Sequence, residues 1–274
     1  MKRNFKLVVA DIDGTLVNEA RKCTPLTQYV LTRLHDMGTM FGLASGRPAD
    51  ELDYLHAKWG IAHPFALNIG MNGGQVSDHL LNSFESFYLL SEKKIEEIIE
   101  SMAIFDYARP CMYLGNRVAS DQYNERLAGT GKRAGKELLI VKDKKEFWAK
   151  PNNKVMFRIP SEKSDELMAY INSPPIANSV PFKTQPTMIE FTDPNVSKAI
   201  ALENFCKTHG IKKEEVIAFG DTSNDNAMLK WAGLGVCLRN GSDDTKKITD
   251  VITDLSNDED GFAHFMLEYV LKNR

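Results

Sequence analysis

Short apolar runs alternate with helix-period segments over the first quarter of the chain. Residues 6–10 are continuously apolar after Lys6, which predicts a parallel strand covered on both faces. Residues 25–37 carry Leu26, Val30, Leu31 and Leu34 at helical spacing, and Gly38 follows as a stop. Residues 40–44 predict a second strand. Pro48 then opens a helix to about residue 59, because its fixed φ and missing N–H suit a first helical position. A third strand is predicted over 65–69, and Asn72-Gly73 just beyond it predicts a hairpin.

The last third repeats this habit. A helix over 198–209 closes at Gly210, followed by a strand over 216–219, a helix over 225–231, and strands over 235–238 and 251–253. Such alternation implies an α/β fold, an open parallel sheet with helices on both faces. The middle differs in texture. Residues 91–103 predict an amphipathic helix with Ile95, Ile98, Ile99 and Met102 on one stripe, and residues 147–159 and 187–191 include alternating, strand-like segments. Pro174, Pro175 and Pro181 punctuate its far end. The expected organisation is a core of residues 1–83 and 194–274 interrupted by an α+β insertion over 84–193.

Composition narrows the classes. At 274 residues, 43% apolar and 26% charged, the chain is ordinary for a globular protein of one large or two smaller domains. No run approaches the roughly 18–20 apolar residues of a membrane-spanning helix. The basic start at Lys2 and Arg3 leads into an apolar run too short for a secretory leader, and carboxylates end it. Cys23, Cys111, Cys206 and Cys237 are widely spaced without a C-x-x-C pair, so zinc and disulfide frameworks are not expected and reduced thiols in the cytoplasm are. A net charge of −3 supplies no global drive toward nucleic acid or membrane. Residues 126–154 hold nine Lys or Arg against three acids, which reads as a solvated basic surface or as a positive face for a phosphate site.

Four separated stretches carry the chemistry. Asp11 and Asp13 follow the first strand, where open α/β sheets bind ligands, and Gly14 permits a tight departure of the backbone. Two residues apart on an extended segment, their side chains point to one side. Together they could hold a hard divalent cation while one attacks phosphorus and the other handles protons. Ser45-Gly46-Arg47-Pro48 follows the second strand and offers a hydroxyl and backbone N–H groups at a helix start, a phosphate site or an ordinary cap. Lys198 sits in the first turn of its helix, against the macrodipole. Gly220-Asp221 and Asn224-Asp225 flank the next strand–helix junction and offer further oxygen ligands. A calcium loop does not fit there, because Asn226 and Ala232 stand where glycine and glutamate are required.

In this order the stretches resemble the haloacid dehalogenase superfamily phosphatases, and specifically the Cof-type subgroup (class IIB) with its large α+β cap. Asp11-Ile12-Asp13-Gly14-Thr15-Leu16 is similar to the first family motif, Ser45 the second, Lys198 the third, and Gly220-Asp221 with Asn224-Asp225 the fourth. The run from Gly235 to Gly241 also resembles the subgroup's loop before its last strands. Ala199 stands where glycine is usual, and Thr222-Ser223 replace a glycine-containing pair.

The resemblance implies a Rossmann-like core with an inserted cap that closes over a small phosphorylated metabolite. It implies Asp11 as nucleophile forming an aspartyl-phosphate, and Asp13 as the acid and then the base. It further implies Mg2+ held by Asp11, the backbone carbonyl of Asp13, Asp221 and Asp225. Ser45, Gly46, Lys198 and Asn224 would hold the phosphoryl group. A phosphomutase or phosphotransferase, and a non-catalytic phosphometabolite-binding protein, are the alternative readings. Arg109, Arg117, Arg158 and Lys183 are candidates for a second anionic or sugar group.

Overall fold

The computed structural model describes residues 5–172 and 176–272. Pro174 and Pro175 lie outside the described residues. The chain divides into two compact units, one formed by residues up to Ser86 together with Ser197 onward, the other by Phe87–Val196. In chain order the strands are β1 (Leu7–Ala10), β2 (Met40–Ala44), β3 (Leu67–Gly70), β4 (Gln75–Asp78), β5 (Ser83–Ser86), β6 (Arg109–Leu114) and β7 (Arg117–Ser120). There follow β8 (Glu137–Ile140), β9 (Lys154–Arg158), β10 (Val180–Gln185), β11 (Met188–Thr192), β12 (Val216–Gly220), β13 (Leu234–Cys237) and β14 (Val251–Ile252).

The first unit is an eight-stranded sheet in the order β14-β13-β12-β1-β2-β3-β4-β5. Its first six strands pair in parallel, and β4 and β5 extend it antiparallel through the hairpin expected after β3. Alternation along β1 feeds two cores. Val8 and Ala10 pack with helix Pro25–Asp36 and the C-terminal Phe262 and Phe265, while Leu7 and Val9 pack with Leu202 and Phe205 of helix Lys198–Thr208. Strand β1 therefore lies covered on both faces, as its unbroken apolar run requires. The chain leaves β1 toward β2 on one side and returns as β12 on the other. That reversal opens a crevice at the carboxyl ends of the central strands.

The helix expected from Pro48 onward is broken. It forms one turn over Ala49–Leu52 and another over Leu55–Lys58, because the Asp53 carboxylate is drawn to the sheet by Asn68 Nδ2 (2.7 Å) and Ser77 Oγ (3.0 Å).

The second unit is a six-stranded sheet, β10-β11-β9-β6-β7-β8, antiparallel except between β7 and β8. One face packs with helix Glu92–Met102 and Leu167 and Ile171 of helix Ser164–Ile171 around Phe147, Phe157 and Phe191. Helix Glu125–Ala134 brings Leu127 against Cys111, Val118, Met156 and Met188. The basic stretch is thus only partly solvated surface: Lys136 and Lys154 are buried, and Lys154 Nζ donates to Glu190 at 2.9 Å. Residues 147–159 also divide into a 3-10 segment, Lys144–Trp148, and strand β9, since Phe147 is needed inside. No described helix is long and apolar enough to cross a membrane.

Phe219 on β12 is fully buried, with Phe262 edge-on at 4.8 Å and Phe265 at 5.5 Å. Phe219→Ala is expected to destabilise the protein by about 3–5 kcal/mol in urea titration. Phe219→Leu, which keeps most of the volume, is expected to lose less than half of that.

Candidate active site

Three adjacent strands deliver the site. Asp11 follows β1 and its N–H donates to the Phe219 carbonyl at 3.0 Å. The chain then folds back on Ile12, whose carbonyl accepts the N–H groups of Leu16 and Val17 at 3.0 and 3.1 Å. Gly14 makes this turn at φ +87°, and a Cβ there would fall 2.3 Å from Asp221 Oδ2. Two amides clamp the turn from outside: Asn240 Nδ2 donates to the Gly14 carbonyl and Asn257 Nδ2 to that of Val17.

Lys198 is the first residue of its helix, with Ser197 as the cap. Its side chain is fully buried, and Nζ donates to Asp11 Oδ1 and to Asp225 Oδ1, both at 2.6 Å. The other Asp225 oxygen accepts the N–H groups of Asp221 (3.0 Å) and Thr222 (3.2 Å). Asp225 reaches that position only because residue 220 is glycine; a Cβ there would lie 2.5 Å from the Asp225 Cβ. Asp221 completes the group, its Oδ1 accepting from Thr15 Oγ1 at 2.9 Å.

One ammonium therefore faces three buried carboxylates. Burial is the largest influence on Lys198 and pulls its pKa down, but Asp11 and Asp225 outweigh it and the net shift is upward. Burial raises Asp11 well above the usual carboxylate range, opposed by Lys198 and reinforced by Asp225 and Asp221. Burial and then the neighbouring Asp225 charge push Asp221 up to about 7. The ammonium stays charged, and Asp11 and Asp221 hold protons more tightly than ordinary carboxylates.

Ligand atoms of Asp11, Asp221 and Asp225 all lie within 4.8 Å of one another. Buried oxygen donors with uncompensated charge fit a hard divalent cation. Asp221 Oδ2 takes no hydrogen bond among the described residues, which leaves its lone pairs for such a cation.

Asp13 stands apart from this cluster. Its side chain is half-exposed and accepts from Arg47 Nε at 3.0 Å and Nη2 at 2.6 Å. Asp11 and Asp13 thus share a turn but have opposite surroundings, one buried against an ammonium, the other at the surface against a guanidinium.

Ser45 and Gly46 follow β2. The Ser45 side chain is buried and its Oγ accepts the Arg47 N–H at 3.3 Å. The helix start expected here is a single turn with little dipole, and its Ala49 N–H already donates to Gln75 Oε1. The local donor is instead Asn72. This residue adopts φ +57°, and its N–H donates to the Ser45 carbonyl. Asn72 Oδ1 accepts from Asn224 Nδ2 at 3.1 Å, and its Nδ2 is buried without a partner among the described residues. The structure so joins Ser45 and Asn224 through a residue whose place in the sequence predicts only a turn. Thr15 and Arg47 were likewise inside the recognised stretches but had no part assigned to them. The Asn72-Gly73 pair was the available signal, since asparagine tolerates positive φ and brings an amide with it.

A family model described as haloacid dehalogenase-like hydrolase matches residues 8–266. The 5-amino-6-(5-phospho-D-ribitylamino)uracil phosphatase YitU of Bacillus subtilis is 24% identical over 266 residues, spanning 96% of this chain and 97% of that protein. A second Bacillus subtilis phosphatase of the same description, YcsE, is 26% identical over 284 residues, spanning 98% and 97%. Among solved structures, a haloacid dehalogenase-like hydrolase from Bacteroides thetaiotaomicron superposes with a TM-score of 0.84 at 25% identity, covering 96% of this chain and 98% of that one.

Two outcomes follow from the charge balance. Lys198→Met leaves Asp11 and Asp225 buried and unpaired, and is expected to cost about 3–5 kcal/mol of stability in chelator at pH 8. The loss should shrink at pH 5, where Asp11, raised by its burial, takes up a proton. For Asp221 the folded pKa, about 7, exceeds the ordinary value of 3.8, so the folded state binds more protons between them. Chelated protein is therefore expected to lose stability as pH rises from about 4 through 7, by the linkage of proton binding to folding. Melting temperatures across that range test this, with Asp221→Asn as the control that should make the decline shallower, the remainder belonging to Asp11. An equal decline in the variant would overturn the assignment.

Proposed function

Since the chain belongs to the haloacid dehalogenase-like hydrolases, Cof type, and is a phosphatase of that family, we propose that it hydrolyses small phosphate monoesters through an aspartyl-phosphate on Asp11. The observation that carries this reading is the Asp11 carboxylate itself. One oxygen is held at 2.6 Å by Lys198, and the other is left as a nucleophile of fixed direction.

In the first step Asp11 Oδ2 bonds to phosphorus as the bond from phosphorus to the leaving oxygen breaks. Asp13, protonated, gives its proton to that oxygen. In the second step Asp13, now a carboxylate, takes a proton from water as the water oxygen bonds to phosphorus. The bond from phosphorus to Asp11 breaks and inorganic phosphate leaves. The exposure of Asp13 suits both duties, since leaving group and water arrive from solvent.

Lys198, the Ser45 hydroxyl, Gly46, Asn224 and the Asn72 amide are assigned to the phosphoryl oxygens. Asp11, Asp221 and Asp225, with the Asp13 carbonyl, are assigned to hold Mg2+. When bound, the cation supplies charge that offsets repulsion between an anionic nucleophile and an anionic substrate.

Selection of the leaving group is assigned to the inserted unit. A small phosphorylated metabolite is the substrate class, and the names of YitU and YcsE point to a phosphate ester on a polyol chain. Four free, buried cysteines support a reducing, cytoplasmic setting; burial pushes Cys23, Cys111 and Cys206 up to about 12.

Phosphate release from a panel of phosphomonoesters is expected to require Mg2+ and to vanish in Asp11→Asn. Asp13→Asn is expected to lower kcat by about 10²–10⁴-fold. Release without an added acceptor separates hydrolysis from phosphoryl transfer. Turnover by Asp11→Asn at the wild-type rate would remove the nucleophile assignment.

A further inference from the structure

The inserted unit contains a charge arrangement that the proposed chemistry does not use. Arg109 on β6 and Arg158 on β9 are direct cross-strand partners, so their side chains stand on the same face of the sheet. Like charges directly opposite one another are unfavourable in a sheet. Arg126, in the first turn of helix Glu125–Ala134, adds a third guanidinium to the same cavity of about 270 Å³. Asn124, Thr187 and Tyr107 complete the polar lining. No carboxylate lines the cavity among the described residues. The nearest compensation is Asp121, which pairs with Arg109 Nη1 at 3.3 Å.

Arg158 shows the strain of this arrangement. Its Nη1 donates to Thr187 Oγ1 at 3.1 Å, while its Nε is buried without a partner among the described residues. Burial, and then the charge of Arg126, pull its pKa down. A cluster that breaks the pairing rule, with three guanidiniums and one paired carboxylate on Arg109, marks a place where the remaining compensation is brought by a ligand. The other basic candidates do not share the cavity. Lys183 is already paired with Asp165 at 2.8 Å, and Arg117 lies at the far end of β7.

We propose that Arg109, Arg126 and Arg158 form a binding site within the inserted unit for a phosphate or comparable dianionic group, with Asn124 and Thr187 as added hydrogen-bonding partners. Guanidinium groups match phosphate oxygens in geometry as well as charge. The group belongs either to a second anionic end of the substrate or to a separate effector. The site itself stands on the geometry of this unit. Only the first of the two sources rests on the phosphatase reading.

Inorganic phosphate is the probe, titrated calorimetrically into the full chain in the presence of chelator. Without a cation the three aspartates oppose phosphate at the catalytic centre, so binding measured there reports the arginine cavity. Wild type is expected to bind, and Arg126→Met, at an exposed side chain, is expected to weaken binding about tenfold or more. Arg109→Met is the second variant and should do the same. No phosphate binding by wild type, or equal binding by wild type and both variants, overturns the site.

Kinetics then assign the source. If the substrate supplies the group, Arg126→Met raises KM for sugar bisphosphates about tenfold and leaves p-nitrophenyl phosphate unchanged. If an effector supplies it, KM values are unchanged and added sulfate alters p-nitrophenyl phosphate turnover in wild type but not in the variant. Calorimetry needs no turnover, so failure of the phosphatase reading would appear as absent phosphate release with the binding difference intact.

Discussion

The catalytic unit depends on one buried ammonium set between two carboxylates. Lys198 has no exposed side-chain surface, and its Nζ joins Asp11 from the end of β1 to Asp225 beyond β12. An uncompensated charge in that position would be strongly destabilising, so the three side chains must be placed together or not at all. The third carboxylate, Asp221, leaves the group with more negative than positive charge. That imbalance, rather than any single contact, is why the site suits a cation and, beyond it, an anionic substrate. The same balance makes the metal-free protein sensitive to pH, because burial and like charge raise Asp11 and Asp221 together.

Close backbone approach is the second constraint. Asp221 sits where a side chain at residue 14 would be, and Asp225 sits where a side chain at residue 220 would be. These two glycines are better understood as space reserved for carboxylates than as flexible joints. The turn after β1 is otherwise held firmly, by Thr15, Asn240 and Asn257. Rigidity of this kind suits electrostatic catalysis, where groups oriented beforehand need no rearrangement as charge develops.

The inserted unit follows a different electrostatic design. The deeply buried ion pair of Lys154 with Glu190 is balanced. The arginines at the other end of strand β9 are not.

How much of this was legible before the fold depended on whether the cause was local. The parallel core was legible because apolar runs such as residues 7–10 can only be strands covered on both faces, and 40–44 matched β2 residue for residue. The family was legible because Asp11, Ser45, Lys198 and Asp221 each end a strand or begin a helix in an ordered series. Helix Glu125–Ala134 and strands β6 to β8 were not, because their half-buried pattern is set by the sheet they join. The break at Asp53 arose from hydrogen bonds to residues 15 and 24 positions away, which no local pattern records. Asn72 lay hidden for the same reason: its turn was visible in the sequence, but its proximity to Ser45 and Asn224 was not. The sequence by itself determined which chemical groups exist and at which strand ends they stand. Only the tertiary structure decided which charges face one another, because pairings such as Lys198 with Asp11 and Arg109 with Arg158 join residues far apart in the chain.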